Sequence, residues 1–188
     1  MAGTRRIGQE IAAIRREIGG VLAGVREEDA RALVGAVLAA DRIVVWGAGR
    51  MGMMARAFAM RLAQLGLRGC FLGDSNTPAV GAGDLLLLAS GSGQTRTVVD
   101  VAELGRARGA RLAVITARPD SAVGKMADVL LVLPGQIKDD PHGPASIQPM
   151  TSLNEQCLLI LLDAIVLMLM AATHQSQEDL WRRHCNLE

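Results

Sequence analysis

The chain has 188 residues, 50% of them apolar and 21% charged, a composition that supports a buried core and argues against intrinsic disorder. Lys and Arg total 20 against 19 Asp and Glu, a formal charge of +1, and aromatics are 2% with no Tyr. That balance offers neither the basic footprint nor the stacking platform of a nucleic-acid binder. Cys70, Cys157 and Cys185 are odd in number and far apart, which argues against a disulfide framework or a CxxC metal site. Arg and Glu interrupt residues 1–20, so no apolar leader is read there, and a cytoplasmic location is expected.

Ile7, Ile11, Ile14, Ile18, Val21, Leu22 and Val25 recur at the spacing of an amphipathic helix over 5–25. A second helix is predicted over 27–40, after the cluster Arg26-Glu27-Glu28-Asp29. Ile43-Val44-Val45-Trp46 is a continuous apolar run ending in Gly47, the pattern of a strand buried on both faces. Similar runs occupy Gly69–Leu72, Leu85–Ala89, Leu112–Thr116 and Val129–Leu133, with helices predicted at 50–65, 94–108 and 119–127. Strands alternating with helices predict an α/β fold: a three-layer α/β/α sandwich around a five-stranded parallel sheet with right-handed crossovers.

Residues 1–188 read as a single domain, with N-terminal helices over 1–40, the sheet core over 41–133, a loop over 134–150, and C-terminal helices and tail over 151–188. The loop holds four of the six prolines. A helix is predicted from 152 to 172. Its greasiest part, Cys157–Ala172, is broken by Asp163 and shorter than the roughly 20 residues of a bilayer span. It therefore reads as a buried helix touching more than one neighbour, which predicts a homo-oligomer and no membrane partner.

In parallel sheets, ligands sit beyond the carboxyl ends of the strands. Two strand ends here carry glycine loops. Gly47-Ala48-Gly49-Arg50-Met51-Gly52 matches the dinucleotide fingerprint, and Asp74 stands about 22 residues on, near where a ribose-binding acid belongs. A nicotinamide-dependent oxidoreductase is therefore one reading; glycines that merely allow a tight turn are another. About 40 residues precede the strand, whereas a dinucleotide fold usually opens on it. The methionines at 51, 53, 54 and 60 read as helix packing.

The second loop, Ser90-Gly91-Ser92-Gly93-Gln94-Thr95, has different chemistry. Gly91 and Gly93 let successive N–H groups converge, and a helix N-terminus adds partial positive charge. Ser90, Ser92 and Thr95 supply three hydroxyl donors. No Lys follows, so the loop is not a Walker A motif. Neutral donors suit a monophosphate bound without a metal. The competing reading is an N-cap by Ser92 or Gly93, for which one hydroxyl is enough.

This loop resembles the phosphate signature of sugar isomerase (SIS) domains. The resemblance continues through Arg61-Leu62, Gly73-Asp74-Ser75-Asn76-Thr77-Pro78, Lys125-Met126-Ala127-Asp128, Gln148-Pro149-Met150, Glu155-Gln156, Arg183-His184 and Asn186-Leu187-Glu188. It covers essentially the whole chain, and the terminal segments resemble the 6-phospho-3-hexuloisomerase branch. The resemblance implies the SIS fold and interconversion of D-arabino-hex-3-ulose 6-phosphate with fructose 6-phosphate through a cis-enediol. It also implies no cofactor, no metal, and dimers or tetramers whose sites are shared between subunits. A non-catalytic sugar-phosphate sensor on the same fold is the alternative.

Carried onto this chain, the resemblance makes Glu155 the base and His184 the group that protonates or polarises the oxygens. Gly49, Arg50, Ser90, Gly91, Ser92, Gly93, Gln94 and Thr95, with Ser75 and Thr77, would hold the substrate. Several have a competing structural role. Ser152-Leu153-Asn154-Glu155 is also a capping-box pattern, Thr77-Pro78 also reads as an N-cap followed by Pro, and His184 also suits a surface tail. His142, in the 134–150 loop, and His174, at the end of the apolar helix, are weaker candidates. The chain departs from the family pattern at Met51, where a serine is usual, at Thr151 for glycine, at Asn154 for an aromatic, and at Cys185 for alanine.

Overall fold

The computed structural model describes residues 6–137 and 145–187. Helices α1 (Ile7–Leu22) and α2 (Glu27–Ala39) come first. The first turn of α2 carries Glu27, Glu28 and Asp29, where the helix dipole favours negative charge. There follow β1 (Ile43–Gly47), α3 (Gly49–Gln64), β2 (Gly69–Phe71), β3 (Leu85–Ala89), α4 (Arg96–Ala107), β4 (Arg111–Thr116), β5 (Val129–Val132), α5 (Ser152–Ala172) and α6 (Gln177–Arg182). The five strands are parallel, in the order β2-β1-β3-β4-β5.

Side chains alternate across a strand, so each apolar run supplies two cores. Ile43, Val45, Leu85, Leu87, Ala113, Ile115 and Leu131 face α2, α3 and α5, and α1 lies on α5. Val44, Leu86, Leu88, Leu112 and Val114 face the opposite side, where α4 packs. The three layers expected from the sequence are present.

Three local expectations are corrected. The helix predicted at 119–127 is only a 3₁₀ turn, Gly124–Met126. Ser121 accepts a hydrogen bond from the Gly124 amide, and this local bond competes with a helical ladder. Thr77 starts no helix; its hydroxyl closes the turn by donating to the carbonyls of Asp74 and Phe71. Of the methionines read as packing, Met51 and Met54 pack, but Met53 and Met60 are exposed. Within the C-terminal helices and tail read over 151–188, α6 begins at a complete capping box formed by Ser176 and Asp179.

Helix α5 has 21 residues, longer than the apolar run that foreshadowed it and long enough to cross a bilayer. Packing decides its role, not length: 11 of its residues, from Ser152 to Leu169, are buried against α1, α2 and α3. Ile160 and Leu167 remain exposed on its outer face. Glu17 of α1 ties the far end of the connecting loop, accepting hydrogen bonds from the Ile147 amide, the Ser146 hydroxyl and the Gln148 carboxamide.

Candidate active site

The strand order reverses direction between β1 and β3, whose last residues Gly47 and Ala89 are paired. From that pair the chain leaves toward opposite faces of the sheet, opening a crevice at the strand tips. Both glycine loops emerge here. The turn from β1 into α3 is so tight that a Cβ on Gly52 would lie 2.2 Å from the Gly47 carbonyl oxygen. These glycines therefore pack the strand against the helix. A cavity of about 220 Å³ lies between the loops and the start of α5, lined among others by Gly49, Arg50, Met51, Ser90, Gly91, Ser92, Thr95, Thr151, Asn154 and Glu155.

The Ser/Gly loop is held from within. Gly93 has φ +63°, and a Cβ there would lie 1.9 Å from Ser121 Oγ. Ser90 Oγ accepts from the Gly93 amide at 3.1 Å and stands 3.3 Å from Thr95 Oγ1. Ser92 Oγ accepts from the Gln94 amide at 3.2 Å. Helix α4 consequently begins at Arg96, two residues later than expected, with Thr95 at the N-cap and no side-chain capping bond. The capping reading of Ser92 or Gly93 fails. The amides of Gly91, Ser92 and Thr95 have no hydrogen-bond acceptor among the described residues. Three open N–H groups, three hydroxyls and the start of α4 thus lie along one cavity, an arrangement of the kind that can hold an anion. Gln94 is exposed and outside the cavity lining.

Glu155 sits on the first turn of α5, 6% exposed. Thr151 donates to its Oε1 at 3.1 Å. Arg50 Nε stands 2.9 Å from Oε2, an ion pair, but out of alignment for a hydrogen bond, so Oε2 accepts none. Arg50 also reaches Ser152 Oγ at 3.3 Å. The capping box read at 152–155 is not formed: Thr151 is the N-cap, without a side-chain cap. The Glu155 carboxylate points at the cavity's groups instead of a backbone amide.

Asn154 stands out in the sequence only as a departure from the family pattern. It is 1% exposed, and neither Oδ1 nor Nδ2 has a hydrogen-bond partner among the described residues. Each such orphan ordinarily costs about 1–3 kcal/mol. Space for it exists because Gly91 and Gly135 lack Cβ atoms: these would fall 3.2 Å from Nδ2 and 1.9 Å from Oδ1.

Other expected site residues lie elsewhere. His184 lines a second cavity with Arg61, Gln64, Asp163 and Trp181, and shares no lining residue with Glu155. Its ring lies 5.1 Å from that of Trp181. At 1.5 Å rise per residue, Asp163 is already about 12 Å along α5 from Glu155. Within one chain His184 is not part of the Glu155 site. Ser75 and Thr77 do not line the cavity, and Asp74 is ion-paired with Arg56 at 2.8 Å rather than standing open for a ribose. His174 is exposed beyond α5. His142 lies outside the described residues. Among those described, no three His, Cys, Asp or Glu side chains gather as metal ligands.

Comparison with known proteins agrees with this architecture. The SIS domain model matches residues 36–168. The 3-hexulose-6-phosphate isomerase of Mycobacterium gastri is 40% identical over 182 residues, covering 97% of this chain and 92% of the relative. That of Bacillus subtilis (strain 168) is 37% identical over 179 residues, covering 95% and 97%. A crystal structure from Methanococcus jannaschii, described as inferring a 3-hexulose-6-phosphate isomerase function, superposes with TM-score 0.81 at 29% identity over 96% of this chain and 99% of that one. With the family model matching most of its length and whole-length kinship to these isomerases, the chain belongs to the SIS domain family.

Proposed function

We propose that this protein is a ketose-phosphate isomerase that interconverts D-arabino-hex-3-ulose 6-phosphate and fructose 6-phosphate. The observation that carries the reading is the single cavity in which a buried carboxylate, Glu155, faces the hydroxyl and amide nest of residues 90–95. The phosphate dianion occupies the nest, accepting from Ser90, Ser92, Thr95 and the open amides. The sugar chain then extends toward α5. Glu155 takes the proton from C2, giving a cis-enediol, and returns it to C3 or C2. Nothing is oxidised or reduced overall: one proton changes carbon and one changes oxygen.

Arg50 is about half exposed, and so is free to leave Glu155 when an anionic ligand enters. That exchange unmasks the base and neutralises the phosphate. Met51, at the cavity wall where a hydroxyl would be expected, gives the phosphate no donor.

His184 acts, on this reading, from a second copy of the chain. Two observations support it: its distance from Glu155 within one chain, and the exposed Met53, Met60, Ile160 and Leu167 on α3 and α5, which are apolar positions suited to a homo-oligomeric contact. Three unpaired cysteines accord with a reducing cytoplasm.

The test is turnover of 3-hexulose 6-phosphate by the wild type, E155Q and H184A. E155Q is expected to lose on the order of 10³-fold in kcat with little change in ligand affinity. Mixing E155Q with H184A under subunit exchange regenerates activity if the site is shared. Full turnover by E155Q refutes the base. Wild-type binding without turnover replaces the isomerase by a sensor.

A further inference from the structure

We propose that Asn154 is a substrate-holding residue: its side-chain carboxamide grips the hydroxy-ketone of the bound sugar, the two adjacent carbons between which Glu155 moves the proton. The inference rests on the isomerase reading and adds a residue to it.

Asn154 precedes Glu155 on the first turn of α5 and lines the same cavity as the Ser/Gly nest. Its side chain is withdrawn from solvent, and both polar atoms lack partners among the described residues. A folded protein rarely leaves even one such atom unpaired, because burial removes the water that would have satisfied it. Here the donor and the acceptor of one amide are both unpaired, beside a carboxylate oxygen, Glu155 Oε2, that also accepts no bond. Two unmet polar atoms on one side chain, next to a carboxylate oxygen held only by the ion pair with half-exposed Arg50, mark the place where a ligand completes the network.

Chemistry narrows what that ligand presents. A phosphate dianion only accepts, so it would satisfy Nδ2 and leave Oδ1 empty. An ammonium only donates, so it would satisfy Oδ1 alone. A hydroxyl beside a carbonyl does both: the carbonyl oxygen accepts from Nδ2 while the neighbouring hydroxyl donates to Oδ1. This pair is also the reacting unit. As the enediol forms, charge grows on the former carbonyl oxygen, and the Nδ2–H bond to it strengthens. The hydroxyl and carbonyl exchange places across the reaction, and a carboxamide serves either arrangement through the same two atoms.

The surroundings keep the amide where it is. Gly91 and Gly135 leave room on either side, and a Cβ at 135 would overlap Oδ1 at 1.9 Å. Gly91 belongs to the 90–95 loop itself, and a Cβ there would come within 3.2 Å of Nδ2, so the loop and the amide are neighbours in one cavity.

The test compares wild type with N154L, a near-isosteric apolar replacement that removes both orphan atoms. Three quantities are read: the melting temperature without ligand, the melting shifts given by inorganic phosphate and by fructose 6-phosphate, and kcat/KM for the ketose phosphate. If Asn154 waits for substrate, N154L melts at or above the wild-type temperature, because no unmet amide is buried any longer. It also keeps the phosphate shift, loses the extra shift that fructose 6-phosphate gives over phosphate, and drops on the order of 10²-fold in kcat/KM. A lower unliganded melting temperature identifies a structural amide and overturns the proposal. So does an unchanged sugar-specific shift. Should the wild type show no turnover, the isomerase reading fails on its own, and the sugar-specific shift still decides the role of Asn154.

Discussion

Replacing Gly93 by alanine tests whether the nest depends on its backbone. Gly93 has φ +63°, a region that costs a residue bearing a Cβ about 1–2 kcal/mol. The new Cβ would also lie 1.9 Å from Ser121 Oγ and 2.5 Å from Ser121 Cβ. Ser121 is fully buried and cannot swing into solvent, and its hydroxyl holds the Gly124 amide at 3.2 Å. Displacing it leaves a buried amide unmet, worth about 1–3 kcal/mol. Together these predict a loss of about 2–5 kcal/mol for G93A, read as a lower urea midpoint at constant slope. For a chain of this size the melting temperature falls by about 2–4 °C per kcal/mol. A double-mutant cycle with S121G isolates the clash: removing the serine side chain should return at least ~1 kcal/mol of the loss. Inorganic phosphate should protect G93A less than wild type. A G93A protein within ~0.5 kcal/mol of wild type, or strict additivity with S121G, refutes the reasoning.

Two further outcomes follow from the ionisable groups. Burial alone would raise the Asp84 pKa, but two hydrogen bonds from Arg42 at 2.9 Å, the Gly81 amide and the Arg42 charge outweigh it and hold the carboxyl below the ordinary aspartate value. A depressed folded pKa stabilises above the unfolded value near 3.9 and is lost as pH falls through the folded one. D84N should therefore be less stable than wild type at pH 7, by about 1–2 kcal/mol once the partial exposure of Arg42 is allowed for. The difference between the two melting temperatures should shrink below about pH 4. Iodoacetamide at pH 7.5 should modify exposed Cys185 and spare Cys157, whose thiol is buried and pushed up to about 11, first by burial and then by the Glu17 charge. Labelling of Cys157 in the native protein would contradict its burial.

The parts legible in the sequence were those with a local signature. Apolar runs such as 85–89 announced strands, because a strand buried on both faces needs no polar alternation. The glycines of 90–95 announced a tight turn between β3 and α4, and Gly93 does take φ +63°, because glycine conformation is a property of a short segment. Where two local signatures competed, the sequence did not arbitrate. Ser152–Glu155 and Ser176–Asp179 carry the same capping pattern, yet only the second forms a capping box. At the first, Ser152 contacts Arg50 from 102 residues away, and Glu155 pairs with that same arginine.

Local pattern was enough for the five strands, for helices α1 to α5 and for the glycine and hydroxyl content of the 90–95 loop, since hydrophobic period and turn composition are written over a few residues. Which distant residues share a cavity came from the packing of the layers alone. The sheet order sets β1 beside β3, so Arg50 meets Glu155 and Asn154 meets Gly91 and Gly135. The length of α5 carries His184 away from them. Those distances depend on how the layers close over one another, and contacts between residues a hundred positions apart leave no periodic trace in the sequence.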